Sequence, residues 1–441
     1  MAQHELRIRP AHPLQGSVTP PGAKSGTVRA VLSATLAQGT STVVNAGSGD
    51  NIRAMVRACE QFGARVANVA AGVWAIDGVG HQLPESCELD AGNSGIVLRL
   101  LGAIGASMQR CVVGTSCPES LGRRGNQELI DALRQYGAEC SGQGDTATPP
   151  LIVGRGRGLH GGRITVSSRR SSQFLSGLLF LSPLVGEDVE LLVADELRSA
   201  PMIQITLDTL SRAGISVDVD AAYLNYRVRG GQRYQPGTYH VASDASSIAG
   251  ILAAVAAVPE SEVQITGFMG NDQGTAAMIE ALGAMGASIT RAGEVLVCRG
   301  AQTLRPITLD GSACPDSILP LAALACFAEG TSTFSNVETL RFKECDRISD
   351  FRHELMTAGA DVDERRDAII VHGHGSVKGG TAVYGRHDHS VVMALAALAL
   401  RSELGLTIRG WDSVAQTYRT FFDDLRALGA DIATVEPALT S

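Results

Sequence analysis

Six glycines end six copies of one phrase, and their spacing constrains the fold more than any other feature of the chain. In each copy an amphipathic stretch reaches Gly-Ala or Gly-Ile and passes directly into a β-prone stretch. The copies read ACEQFGARV, DALRQYGAEC, DTLSRAGISV, EALGAMGASI, ELMTAGADV and DLRALGADI. The glycines are Gly63, Gly137, Gly214, Gly286, Gly359 and Gly429, each 70 to 77 residues after the one before. A glycine just past a helix end takes the left-handed conformation that turns the chain out of the helix. Each phrase therefore predicts a helix, an αL glycine and a strand. A second helix recurs in phase with the first, in AKSGTVRAVL, GNSGIVLRLL, SSQFLSGLLF, ASSIAGILAA, PDSILPLAAL and HDHSVVMALA. Five of these place Ser, Asn or Asp just before an apolar run, which is an N-cap signature. Short β-rich stretches such as VWAIDGV and EVLVCRG fill the gaps. The period is longer than that of the common solenoid repeats. Each copy reads as a small α/β module, and three modules per domain give two similar domains.

Length agrees, since 441 residues are too many for one ordinary core. Fifty glycines with only 4% aromatics suit helices that approach closely through small residues. A formal charge of −8 argues against nucleic acid as a partner, because a duplex needs a basic face. A local cluster of Lys and Arg can still bind a small anion. Nine cysteines with no C-x-x-C pair read as reduced thiols. MAQHELRIRP has no apolar core of a signal peptide, and VVMALAALAL is too short to span a bilayer. A cytoplasmic protein, a monomer with no membrane partner, is the expectation.

The second helix of each module bears on function. Helix N-termini present unpaired N–H groups and partial positive charge, so they attract anions. Around the first of them lie Lys24, Ser25 and, one turn on, Arg29. That set suits a phosphate or carboxylate, although taken alone it is better accounted for by a solvated Lys and Arg.

PGAKSGTVRA, however, resembles the first motif of the 5-enolpyruvylshikimate-3-phosphate synthase (3-phosphoshikimate 1-carboxyvinyltransferase) family, and the likeness continues in order along nearly the whole chain. Ala91-Gly92-Asn93-Ser94-Gly95 with Arg99 resembles the second motif, and Ser120-Leu121-Gly122-Arg123-Arg124 the arginine loop. Ser171-Ser172-Gln173-Phe174 is similar to the family's Ser-Ser-Gln-Phe, and Ser199 with Pro201 to the next helix start. Asp244-Ala245-Ser246-Ser247 resembles the opening of the fourth module. Pro315-Asp316, Asn336, Arg341 and Lys343-Glu344-Cys345-Asp346-Arg347 resemble the fifth, and these are the most specific motifs. The related UDP-N-acetylglucosamine enolpyruvyl transferases use an Asn after the first Lys and a Cys in the arginine loop. Here Ser25 follows Lys24, and Cys117 reads as a spectator thiol.

The resemblance implies the enolpyruvyl transferase fold. That fold has two similar domains, each of three βαβαββ-like units, over residues 20–241 and over 1–19 with 242–441, with the active site in the interdomain cleft. For shikimate 3-phosphate it implies Lys24, Ser25, Arg29, Ser171, Ser172, Gln173, Ser199, Asp316, Asn336 and Lys343 as ligands. For phosphoenolpyruvate it implies Lys24, Gly95, Arg124, Gln173, Glu344 and Arg347. Lys24, Asp316 and Glu344 take the catalytic roles, Asp316 as base for the attacking hydroxyl and Glu344 as acid and base at the methylene carbon. No metal or organic cofactor is implied; the expected partners are small phosphate substrates. The His-rich patch of His372, His374, His387 and His389 lacks metal-ligand spacing.

The departures gather around phosphoenolpyruvate. Ser390 stands where the family has Arg, and Gln416 where it has Lys. Ile96 replaces a usual Thr and Met202 a usual Tyr, and Gly125-Asn126 stand where Pro and an apolar residue are normal. Two lost charge-assisted bonds weaken phosphoenolpyruvate binding by about 3–6 kcal/mol, a factor of about 10² to 10⁴. Arg386, His387, Arg419 and Arg123 lie near enough in sequence to compensate. Three readings stay open: a transferase with a rearranged clamp, a paralogue that eliminates phosphate with Glu344, Asp316 or His389 as base, and a binding protein without catalysis.

Overall fold

The computed structural model describes residues 5–195, 197, 200–268 and 273–435. The chain divides into two compact units, Gly22–Val241 (the first) and Met1–Pro21 with Ala242–Ser441 (the second). The first carries α1 (Lys24–Leu36), α2 (Asp50–Gln61), α3 (Gly95–Gly105), α4 (Gln127–Gln135), α5 (Gln173–Leu181) and α6 (Ala200–Arg212). The second carries α7 (Ala245–Ala257), α8 (Gln273–Met285), α9 (Ile318–Ala325), α10 (Ser349–Thr357), α11 (His389–Arg401) and α12 (Phe421–Ala427).

Each unit contains three four-stranded sheets of one topology. An edge strand runs parallel to its neighbour, and two further strands follow antiparallel. In the first unit, Ser86–Asp90 lies parallel to Arg110–Gly114, which pairs antiparallel with Thr148–Gly154 and through it with Glu139–Gln143. The antiparallel pair needs only a short turn, whereas the parallel pair needs a crossover, and α3 supplies it. Segments at the ends of a unit complete some sheets. Thr238–His240 lies parallel to Gln38–Val44 in the first unit. In the second, Glu5–Ile8 fits between Leu406–Arg409 and Ile432–Val435.

The helices fall into two kinds, and the sequence pattern explains both. Helices α3, α5, α7, α9 and α11 carry almost no polar face and are buried nearly all round. Helix α1 joins them beyond its first turn. Helices α2 and α4 are amphipathic and lie outside them. Glycine sets how closely the inner helices approach. A Cβ on Gly177 of α5 would fall 2.9 Å from the Arg99 carbonyl oxygen of α3, and one on Gly250 of α7 would meet Met393 of α11 at 2.8 Å. Bulkier residues would force these helices apart, so a glycine-rich, aromatic-poor composition follows from the packing.

The six repeated glycines all have positive φ, from 74° to 111°; five lie one residue beyond the C-cap position of an outer helix, and Gly286 directly follows Met285, the last residue of α8. At the inner helix starts Ser94, Asp244 and Asp388 cap through their side chains. Ser172 and Ser317 occupy the cap position without such a bond, and Ala23 precedes α1.

Candidate active site

In the first unit the starts of α3 and α5 bring several of the expected residues together. Gly95 opens α3 and Gln173 opens α5. Arg99, one turn into α3, donates from Nη1 to Gln173 Oε1 at 2.6 Å and to Ser171 Oγ at 3.0 Å. Its guanidinium also lies over the Phe174 ring, 4.7 Å from the centroid. A Cβ added to Gly95 would sit 3.1 Å from Arg124 Nη1, 3.3 Å from Arg99 Nη1 and 3.3 Å from Gln173 Oε1. Bare Gly95 is thus the point on which two guanidinium groups and one amide converge. The arginine loop is tied to the same place, since Leu121 N donates to Asn93 Oδ1 at 3.2 Å. Such a cluster of N–H donors at a helix start suits an anionic group.

Lys24 and Ser25 begin α1. Arg29 lies deeper than the sequence suggests, with 1% of its surface exposed. It donates to Thr206 Oγ1 at 2.8 Å, the Ser25 carbonyl at 3.0 Å, Ser176 Oγ at 3.2 Å and the Met202 carbonyl at 3.3 Å. Burial lowers its pKa to about 10, which leaves it charged at neutral pH. Ser172 is buried at the α5 cap position. Ile96 packs into the core of the unit, and Met202 lies on α6. Ser199 falls outside the described residues.

In the second unit Arg347 is the hub. Its Nε donates to Asp388 Oδ2 at 2.8 Å and its Nη2 to Asp388 Oδ1 at 3.0 Å, a two-pronged pair. Nη2 also reaches Glu344 Oε2 at 3.1 Å, and Nη1 reaches Asp316 Oδ1 at 3.4 Å. Burial disfavours the charged guanidinium, but Asp388 and then Glu344 outweigh it and hold the Arg347 pKa above the ordinary arginine value. The side chain of Asp316 is 41% exposed and that of Glu344 only 8%, so two carboxylates of different solvation flank one cation. Arg341 donates to Asp346 Oδ2 at 2.8 Å, while Asp346 Oδ1 accepts from the backbone of Ile348 and Ser349. This pins the loop bearing Lys343 and Glu344. Asn336, with φ of 58°, donates to Asp310 Oδ2 at 2.7 Å.

Ser390 and Gln416 are buried. Ser390 N donates to Asp388 Oδ1 at 2.8 Å, and Gln416 Nε2 donates to the His387 carbonyl at 2.8 Å. Ser390 Oγ and Gln416 Oε1 have no hydrogen-bond partner among the described residues. Arg386 does not replace the missing cations. It is committed to Glu354 Oε1 at 2.7 Å and to Asp350 Oδ1 at 3.4 Å. The His387 ring meets the Tyr384 hydroxyl at 2.7 Å. His372 and His374 pair with Asp363 and Asp361. Among the described residues no His, Cys, Asp or Glu group has the arrangement of a metal site, and no helix is long and apolar enough to cross a membrane.

Two functional positions were not singled out in sequence. In the sequence Asp388 stands only as a residue at the start of an apolar helix, yet it is the principal partner of Arg347, 41 residues away. Asn126 was read only as a departure, yet its side chain meets Arg99 and the Arg124 carbonyl. Spacing carries no signal for either.

Comparison with known proteins bears on the family and the fold. A family model described as EPSP synthase (3-phosphoshikimate 1-carboxyvinyltransferase) matches residues 8–425. A 3-phosphoshikimate 1-carboxyvinyltransferase of Burkholderia pseudomallei is 37% identical over 430 residues, covering 97% of this chain and 95% of that one. One from Deinococcus radiodurans is 36% identical, with 97% of each chain covered. Among solved structures, EPSP synthase from Acinetobacter baumannii superposes with a TM-score of 0.79 at 25% identity, over 98% of this chain and 100% of that one. The enolpyruvyl transferase NikO from Streptomyces tendae shares the fold, with a TM-score of 0.76 at 16% identity over 99% of this chain and 100% of its own. By motif order, fold and sequence, the chain belongs to the EPSP synthase (3-phosphoshikimate 1-carboxyvinyltransferase) family.

Proposed function

We propose that the protein transfers the enolpyruvyl group of phosphoenolpyruvate to the 5-hydroxyl of shikimate 3-phosphate and releases inorganic phosphate. The observation that carries this reading is the pair of carboxylates on Arg347, Asp316 at 3.4 Å and Glu344 at 3.1 Å. The reaction needs two proton transfers at two different atoms, and this pair supplies two groups in different surroundings. Asp316 takes the proton of the 5-hydroxyl as its oxygen bonds to C2 of the enol. Glu344 gives a proton to C3. The tetrahedral adduct then loses phosphate as Glu344 takes a proton back from C3, which restores the double bond.

In this reading Lys24, Ser25, Ser171, Ser172, Gln173, Ser199, Asn336 and Lys343 hold the ring and its phosphate. Arg29 adds positive charge from beneath the α1 start, where its N–H groups already meet protein oxygens. Gly95, Arg124, Gln173 and Arg347 hold phosphoenolpyruvate, with Ser390 and Gln416 as neutral polar contacts where relatives carry cations. The relatives above bear the transferase name, so phosphate elimination without phosphoenolpyruvate is not favoured. The protein works in the cytoplasm as a monomer; its nine cysteines are all free thiols, which fits that compartment.

The test is direct. Purified protein is incubated with shikimate 3-phosphate, with and without phosphoenolpyruvate, while phosphate release and product mass are followed. Release that needs both substrates, with an enolpyruvyl mass added to the ring, is expected. Release from shikimate 3-phosphate alone, or no release at all, overturns the proposal.

A further inference from the structure

Asn126 is completely buried, and its amide is used from both ends. Oδ1 accepts from Arg99 Nε at 3.1 Å. Nδ2 donates to the Arg124 carbonyl at 2.9 Å and to the Ala147 carbonyl at 3.2 Å. The turn around it is fixed as well. Asn126 N donates to the Thr146 carbonyl at 2.8 Å, and a Cβ on Gly125 would fall 3.0 Å from that same oxygen. Arg99 in turn holds Ser171 and Gln173 through its Nη1. One side chain therefore links the loop that aims Arg124 to the arginine that aims the α5 start.

We infer that Asn126 is a positioning residue that sets the two anion-binding groups of the first unit against each other. One arm runs from Oδ1 through Arg99 to Ser171 and Gln173, and it governs the ring phosphate. The other runs from Nδ2 to the backbone of Arg124, and it governs the enolpyruvyl substrate. The role follows from hydrogen-bond directionality. The Asn amide is the smallest side chain that accepts from a guanidinium and donates to two carbonyls at once. A carboxylate keeps the first bond, as a stronger ion pair, but turns an acceptor toward two carbonyl oxygens. An apolar residue loses both arms.

The inference rests on the proposed reaction, and the two can fail separately. Asn126→Asp and Asn126→Ala are compared with the wild-type chain by steady-state kinetics, thermal melting and calorimetric binding of shikimate 3-phosphate. Loss of a charge-assisted bond, or of the geometry it holds, corresponds to about a tenfold loss in binding. For Asn126→Asp, KM for phosphoenolpyruvate is expected to rise about tenfold, with shikimate 3-phosphate affinity within about twofold of wild type. For Asn126→Ala both are expected to weaken about tenfold. A residue that merely caps α4 would lower the melting temperature of both variants and leave both affinities alone, and that result overturns the inference. So does an identical pattern in the two variants. Failure of the wild-type chain to turn over the two substrates defeats the proposed reaction before any variant is considered. Calorimetry with shikimate 3-phosphate then still reads the Arg99 arm, and equal affinity in wild type and Asn126→Ala overturns it.

Discussion

The two units share a sheet topology and a helix pairing, three times each, yet their helix starts carry opposite chemistry. In the first unit Arg29 and Arg99 are surrounded by hydroxyl, amide and carbonyl oxygens. In the second, Arg347 is surrounded by Asp388, Glu344 and Asp316. A guanidinium held by neutral oxygens keeps its charge available to an incoming anion. One held by three carboxylates has much of its charge offset, and besides meeting phosphoenolpyruvate it fixes the directions in which those carboxylates point. The first unit supplies most of the capturing groups, whereas the second adds the proton-transfer carboxylates to a smaller set of binding residues. One scaffold hosts both because the difference lies in a few side chains at loop ends, not in the core.

The sharpest way to break this division is Glu344→Gln. It keeps the shape of a buried side chain and removes its proton chemistry. We expect kcat to fall by about 10² to 10⁴, the usual worth of a general acid or base. Shikimate 3-phosphate affinity should stay within about twofold in calorimetry, because Glu344 acts on the enolpyruvyl carbon and is not among the residues that hold the ring. A loss that appears chiefly in binding would undo the contrast. Gly95→Ala tests the capture side. The added methyl would press on Arg124, Arg99 and Gln173 at 3.1–3.3 Å. Overpacking of this kind costs about 1–3 kcal/mol, so KM for phosphoenolpyruvate should rise about 10- to 100-fold with a lesser change in kcat. Unchanged KM would mean that the convergence on Gly95 does not reach the substrate. Gln416→Lys sharpens the comparison from the second unit. A lysine at this position can keep a donor to the His387 carbonyl and adds a charge. KM for phosphoenolpyruvate should fall by about tenfold, the lower end for one charge-assisted bond. No fall would place Gln416 away from the phosphate.

Much of the fold was legible because it is written in local chemistry. A positive-φ glycine after a helix and an Asp or Ser before one are short-range requirements, so Gly63, Gly137 and Asp244 announce themselves. The candidate site was legible only where residues act close to their neighbours in sequence, as in Ser171-Ser172-Gln173. Its ion pairs were not. Asp388 and Arg347 lie on different modules, and nothing in either motif states that they meet. Arg386 teaches the converse. It stands four residues before Ser390, but Glu354 and Asp350 hold its guanidinium, so nearness in sequence said nothing about availability. Arg29 was correctly placed one turn into α1, but pattern alone could not show that its side chain turns inward toward Thr206 and Ser176.

Helices α3, α5, α7, α9 and α11 are enclosed by apolar neighbours along nearly their whole length. A rod enclosed in this way meets water only at its tips. Mutations along its body are filtered for volume, whereas mutations at its tip can swap one charge for another with the packing left alone. Novel specificity in such a molecule can therefore accumulate one tip residue at a time. Ser390, in the first turn of α11, occupies such a tip.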